Sequence, residues 1–520
     1  MVSGGPPPMT VARTRRLVVS MAAIVTCAAL VSELLVRQVP SGRFESVIIQ
    51  FQADDFARLT PSQVSGLFGN DVRVTSPPLP YARFQNVVRP RDQSLPVSPD
   101  ILPAPQRWLI SAEVPSGSIS ALRQHPRVAT VSSNVRIRPQ IARPASCVSQ
   151  PIGRIGNEDD LRTQVGANEL EARKMLGNGV LVGVIDGGLL SADLEKALHR
   201  ASADFIATPA FAVTDQQNRD GHGSMVAYDA LLSAPMAKVV DIAVVPSDDV
   251  RIDRRLDRVL APLMKIEQEV KAGLFRTGEV KGLVLNNSWA TDPSDNSDPA
   301  MPAELRALGP VCLTRPGYRD PREDQSNYSD NPCHPFNVQI SKLDALGVDI
   351  VFAGGNCGSA CPYPGCQGRS IITGANASPS VLTVGAADKN LRPFEYSSSG
   401  PGTIEPAKPD LLAFSEFSGS GMVKYYDQAI DSGTSAAAAV ASGVVAALRS
   451  LAARRASPNL IRSVLRQCVE PVANDPNVSG AGIVSARRIS PLVIAVPFPA
   501  GPQTTLLLNC QNMTFTFQTQ

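Results

Sequence analysis

Histidine is scarce. The chain of 520 residues has four, His125, His199, His222 and His334, so any chemistry that needs a base near neutrality must choose among them. Charge is also thin, at 18% Asp, Glu, Lys and Arg where ~25% is usual. With 49 basic and 47 acidic residues the formal net charge is +2, which excludes a basic footprint for nucleic acid and a solvating acidic tail. No internal repeat interrupts the reading. What is present in quantity is apolar material, 43% of residues, enough for a large core and incompatible with a disordered chain. At this length two or three domains are expected.

The amino terminus lacks a full membrane span. Arg13, Arg15 and Arg16 precede an uncharged, mostly apolar run from Leu17 to Ser32, shorter than the ~20 residues a spanning helix needs. Residues 1–39 therefore read as a signal peptide, with an uncleaved anchor as the alternative because Leu34, Leu35 and Val36 follow Glu33. Ala28 and Ala29 are small, but no clean A-x-A site is present. A secreted, periplasmic or cell-envelope location follows, with membrane contact only if this segment stays uncleaved. Of nine cysteines, Cys27 falls in the segment and eight remain, an even number that suggests disulfides in an exported chain. Cys357, Cys361 and Cys366 lack a paired C-x₂-C and a neighbouring histidine, so loop-stapling disulfides are the better reading than a metal knuckle.

Two patterns divide the rest. Residues 40–145 are Pro-punctuated, with strand-like FESVIIQF (44–51), RWLISAEV (107–114) and 128–137 separated by helical stretches, which suggests a small α+β domain. A linker, 146–160, follows. From 161 to 490, apolar runs without alternation (180–185, 239–245, 282–285, 348–352, 381–384) are spaced by helical patterns at 192–200, 254–272 and 336–346. Such runs are strands buried on both faces, and the alternation predicts an α/β, doubly wound, mostly parallel sheet. The segment 291–335, rich in Pro, Asp, Asn and Ser, reads as an inserted surface loop. Residues 491–520 read as a strand-like extension that adds edge strands.

Three short motifs carry chemistry. Asp186 ends a buried strand in VIDGG, His222 opens an apparent helix in GHGS, and Ser435 lies in SGTS before an Ala-rich run to Ala447. A serine in the first turn of a long helix sits at the positive end of its dipole, where backbone N–H groups favour a developing oxyanion. Arg449, Arg454 and Arg455 truncate the Ala-rich run, so it reads as a buried core helix and not a membrane span.

The order Asp, His, Ser is that of subtilisin, and the chain resembles the subtilisin-like serine peptidases. VGVIDGG, GHGSMVA and SGTSAAA resemble the family's three catalytic motifs, and FAGGNCG (352–358) resembles the segment with its oxyanion asparagine. SPSVLTVGAAD, YSSSGPG, KPDLLAF and GAGIVSA continue in family order. The resemblance implies a serine endopeptidase acting on proteins or peptides, with Asp186, His222 and Ser435 as triad and Asn356 as oxyanion donor. It implies that Ser288, Trp289, Ala290, Ala353 and Gly354 pair with substrate backbone by strand addition. ISALRQHPRVATVSSNVRIRP (119–139) resembles the end of the family's inhibitory propeptide, implying a self-processed precursor cut between about Pro139 and Leu161.

Three positions depart from the family pattern. Ala439 replaces a proline near the helix start, Met225 a second histidine, and Ala290 a glycine that lines the substrate groove. The first motivates a rival reading, a transpeptidase or cyclase that resolves the same acyl-enzyme with an amine. A catalytically weak peptide-binding protein is a second. No cofactor is required. The resemblance allows structural calcium, but Asp292, Asp295 and Asp298 do not have the spacing of a calcium loop and read as a solvated polar loop.

Overall fold

In the computed structural model, residues 43–52, 60–68, 72–81, 107–139, 154–214, 221–244, 255–276, 278–291, 300–313, 318–359, 366, 370–425, 428–452, 456–498, 501–510 and 513–517 are described. The amino-terminal segment 1–39, positions 146–153 of the linker, Cys147, Cys361, Asp292, Asp295 and Asp298 lie outside them.

The first strand, β1 (Phe44–Gln52), is followed by α1 (Pro61–Phe68), β2 (Arg73–Val74), β3 (Leu79–Tyr81), β4 (Arg107–Pro115), α2 (Ile119–Arg123) and β5 (Val128–Ser133). β1 pairs antiparallel with β4 and β5. Its alternation sends Val47, Ile49 and Phe51 into a small core with Val64, Ile110 and Val131. Ile48 points to the other face, where with Tyr81 and Leu109 it joins a cluster containing Leu260 and Phe336 of the larger domain. The small sheet is thus apolar on both faces, one for itself and one for docking. A short strand, β6 (Ile137–Pro139), leaves this domain and pairs elsewhere.

The apolar runs of the second half become β7 (Val180–Asp186), β8 (Lys238–Ala243), β9 (Gly282–Asn287), a short β10 (Trp289–Thr291), β11 (Asp349–Ala353), β12 (Leu382–Ala387) and β13 (Leu411–Phe414), with β14 (Val469–Glu470) and β15 (Ile483–Val484) near the end. Eight of them form one sheet in the order β14-β15-β13-β12-β11-β9-β7-β8. All neighbours run parallel except β14 with β15. The chain moves outward from β7 to β8, then returns to β9 on the opposite side of β7. That reversal opens a crevice at the carboxyl ends of β7 and β9, where doubly wound sheets bind ligands.

Helices α3 (His222–Ser233), α4 (Leu256–Ala272), α5 (Pro335–Ala345), α6 (Gly433–Ala452) and α7 (Pro458–Gln467) cover the sheet. The Ala-rich run is α6, and it is a buried core helix. Its small residues let it lie close to α3. A Cβ at Gly443 would stand 2.2 Å from the Ala230 carbonyl oxygen, so no other residue fits there without separating the helices. Arg449, at the end of α6, is itself buried, with its guanidinium donating to both oxygens of Asp349 at 2.7 and 2.6 Å.

Two expectations change. The tail is strand, as its pattern suggested, but β16 (Ile489–Phe498), β17 (Gly501–Cys510) and β18 (Met513–Phe517) form a separate antiparallel sheet and do not edge the large one. A disulfide between Cys468 and Cys510 ties it back. The segment 291–335 is a surface loop only in part: residues 302–313 are exposed or half-buried, but the rest of its described length is largely interior. Asp320, Arg322, Tyr328, Asn331 and His334 are all fully buried. Its polar side chains are buried in pairs: Arg322 donates to both carboxylate oxygens of Asp320 at 2.9 and 2.7 Å, and Cys312–Cys333 closes the loop. Composition misled because polar residues that satisfy one another cost little to bury.

This packed segment is also where the small domain docks. Ser133 N–H donates to Ser326 O at 2.9 Å. His334 Nε2 donates to Ser133 O at 2.9 Å while its Nδ1 accepts from Phe336 N–H at 3.2 Å. The bond accepted by Nδ1 requires the neutral ring, and burial pushes its pKa down to about 4. In the unfolded chain the ring titrates near 6.5. Its contribution is therefore complete above that value and lost as pH falls toward about 4, up to about 3 kcal/mol. We expect chemical denaturation of the full-length chain to show this loss between pH 6.5 and 4, and the His334→Gln variant to show less of it.

Candidate active site

Asp186 ends β7 at the crevice, and two contacts fix its carboxylate. Oδ1 accepts from Gly187 N–H at 2.7 Å and from His222 Nδ1 at 2.7 Å. A carboxylate only accepts, so Nδ1 carries the proton and Nε2 is the basic nitrogen. His222 is placed by the start of α3. The helix presses on the turn after β7 so tightly that a Cβ at Gly223 would stand 2.6 Å from Gly188 O. Leu190 N–H donates to Ser224 Oγ at 2.6 Å, a second tie between the same two segments.

Ser435 lies in the first turn of α6 and is fully buried, as are Asp186 and His222. Its hydroxyl donates to Ser288 O at 3.0 Å, and the Ser288 hydroxyl donates back to Ser435 O at 3.1 Å. Sequence reasoning assigned Ser288 to the groove alone and missed this reciprocal pair. It also missed the chain behind it. Ser442 Oγ donates to Asn286 Oδ1 at 2.9 Å, and Asn286 Nδ2 donates to Ser288 Oγ at 2.8 Å. The helix of Ser435 and β9 are thus joined at two points two turns apart, Ser435 and Ser442. Nothing in a motif marks Asn286, although a buried amide between two serines is a polar network that must be complete to be tolerated.

Asn356 stands beside the same helix start. Its Oδ1 accepts from Thr434 N–H at 3.0 Å and from Thr434 Oγ1 at 2.9 Å. Gly355 N–H donates in turn to Thr434 Oγ1 at 3.1 Å. The amide is therefore locked one residue from Ser435. The following residue, Cys357, is bonded to Cys366, which staples the loop that carries Asn356.

A groove runs past Ser435 between β10 and residues 353–356. Trp289 is fully buried and edge-on to Phe336 and Phe352. The Ala290 methyl faces Gly355, 4.0 Å from where a Cβ there would be. Asn376 bridges the two walls, its Nδ2 donating to Trp289 O at 3.2 Å and Ala353 O at 2.8 Å. β6 pairs along β10, antiparallel, with Ile137 opposite Thr291, Arg138 opposite Ala290 and Pro139 opposite Trp289.

One hydrogen bond joins Asp186 to His222, and a second network joins Ser435, Ser288, Thr434 and Asn356 at the head of α6, with Trp289, Ala290, Ala353 and Gly354 on the segments beside it. The other histidines lie elsewhere. His125 follows α2 in the small domain, His199 ends the helix Ser191–Leu198, and His334 docks that domain. Met225 is buried in the core, and α6 runs unbroken through Ala439, whose amide can donate where proline has none. Among the described residues one group of metal-type side chains gathers, Cys312, Asp320 and Cys333. Its sulfurs are bonded to each other and its carboxylate to Arg322, so it is not a metal site.

The sequence model described as the subtilase family matches residues 177–482. No curated protein is matched.

Because Asn376 holds both walls of the groove, we expect Asn376→Ala to lower kcat/KM about tenfold for extended peptides and much less for short esters. Steady-state kinetics on a matched pair of substrates checks this.

Proposed function

The chain belongs to the subtilase family, a subtilisin-like serine endopeptidase acting on proteins or peptides, and we propose that Asp186, His222 and Ser435 are its catalytic triad in an exported, self-processed precursor. The observation that carries this is the 2.7 Å bond from His222 Nδ1 to Asp186 at the carboxyl end of β7, in the same crevice as a buried serine at the head of α6. In the reaction, the Ser435 proton passes to His222 Nε2 as Oγ attacks the scissile carbonyl, and the imidazolium returns it to the leaving amine. Asp186 holds the ring in the tautomer this needs. Water then enters by the same route and releases the acyl group. Asn356 Nδ2 and the Ser435 backbone N–H would receive the oxyanion. Removing such an asparagine donor costs roughly 10²–10³ in turnover in subtilisin.

The pairing of β6 with β10 supports the precursor reading. The small domain inserts its last described strand as a substrate would, by backbone hydrogen bonds. The described register ends with Pro139 opposite Trp289, the residue after Ser288, whose carbonyl lies 3.0 Å from Ser435 Oγ. We infer cleavage between Gln140 and Ile141. In this frame Ile137, fully buried in an apolar cluster with Trp289, is the fourth residue before the cut, and a branched aliphatic side chain is favoured there. Three disulfides among the described residues, Cys312–Cys333, Cys357–Cys366 and Cys468–Cys510, fit an oxidising compartment outside the cytoplasm. No observation favours aminolysis over hydrolysis, since α6 keeps its course through Ala439.

Intact mass and amino-terminal sequencing of wild type beside Ser435→Ala test the proposal. The wild type should yield a chain starting at Ile141. The variant should stay joined there and lose turnover by about 10⁶-fold, the scale of nucleophile loss in subtilisin. Identical masses for the two proteins would refute self-processing, and equal turnover would refute the nucleophile.

A further inference from the structure

Behind the triad lies a pair of acids that the reaction does not use. Asp229 is seven residues, or two turns, after His222 on α3, and Asp431 is four residues before Ser435. Both are fully buried, and their carboxyl groups lie within hydrogen-bonding reach of each other. Asp431 Oδ2 accepts from Ser420 N–H at 2.6 Å and Oδ1 from Ser420 Oγ at 2.6 Å. Neither Asp229 oxygen receives an N–H or O–H from any described residue. The other titratable groups facing the pair are Glu158, near the start of the helix Glu158–Val165, and Tyr228, whose phenol donates to Glu158. No cation among the described residues faces Asp229 or Asp431.

Two buried carboxyls without a cation cannot both ionise. The donors decide which keeps the proton. Asp431 has two donors and suits the anion, while Asp229 has none and suits the acid, whose O–H then has Asp431 to bond. We propose that Asp229 and Asp431 share one proton, and that this carboxylic acid–carboxylate bond clamps the helix of His222 to the segment leading into Ser435. The two acids are positioning residues. Burial and the neighbouring acids push Asp229 well above the usual carboxylate range, whereas Asp431, helped by Ser420, rises to about 6. The catalytic part of this inference rests on His222 and Ser435 being base and nucleophile. The proton itself does not.

The sign of the pH effect follows. Asp229 ionises in the unfolded chain near pH 3.9 but holds its proton in the fold, so unfolding releases one proton. Stability from this site therefore falls as pH rises, and Asn at 229, which cannot ionise, escapes the loss. In the full-length chain carrying Ser435→Ala, Asp229→Asn should raise the folding equilibrium constant by a factor that grows about tenfold per pH unit from pH 5 to 8. A factor constant over that range would overturn the proposal.

In the active protein, Asp229→Asn keeps a donor and should keep kcat at neutral pH. Asp229→Leu should lower kcat at least tenfold with KM little changed. Equal kcat for the two variants would overturn the clamp while leaving the peptidase reading intact. Should Asp229→Asn fail to fold, the infrared C=O band of a carboxylic acid in the Ser435→Ala protein at pH 8.5 reads the proton directly. Its absence would also overturn the proposal.

Discussion

The contact between α3 and α6 is what the site depends on. His222 and Ser435 each stand at the amino-terminal end of one of these helices, and the helices touch because Gly443 has no side chain to hold Ala230 away. Side chains alone cannot hold two such helix ends against each other to within a few tenths of an ångström. Two rigid rods in backbone contact can. The Ala-rich composition of α6 follows from the same demand, since a helix buried on every side and pressed on another tolerates little volume. The Ser442–Asn286–Ser288 chain then fixes how α6 sits over β9, while the turn after β7 fixes how α3 presents its histidine. The chemistry inherits its geometry from these contacts.

Parallel strands were legible because burial on both faces leaves apolar runs that no amphipathic element would show. The motifs of Asp186, His222 and Ser435 were legible because each residue sits at a fixed local feature, a strand end or a helix start, and such features have short signatures. What stayed hidden are pairs distant in sequence. Asp229 and Asp431 lie in unrelated motifs and meet only when α3 and α6 pack. Asn376 reaches Trp289 and Ala353 across the groove, and no pattern around it announces that. The 291–335 segment shows the converse failure. Its Asp, Asn and Arg residues suggest water, yet they satisfy one another in the interior.

The tail shows where alternation reaches its limit. Its strands were readable from apolar content alone, but partner choice was not, because an edge of the large sheet and a neighbouring hairpin offer the same backbone hydrogen bonds. The hairpin from β16 to β17 closes within two residues, so its loop-closure cost is small beside that of a long return to the sheet.

The small domain is held by more than its last strand. Ile48, Tyr81, Leu109, Val135 and Ile137 share one apolar cluster with Trp289, Phe336 and Leu260, and Asn134 accepts from Asp257 N–H at 3.1 Å beside the Ser133–Ser326 bond. The proposed cut after position 140 would break one covalent bond and leave this interface whole. Release would also expose the apolar face of β10 and α5 to water, at a cost that scales with the area uncovered. On the proposed self-processing, cleavage on its own would leave β6 still paired along β10. On that reading activity would wait on the loss of the small domain from the face it docks on. The neutral ring of His334 lies at that face, so acid, which protonates a freed imidazole, favours departure over rebinding.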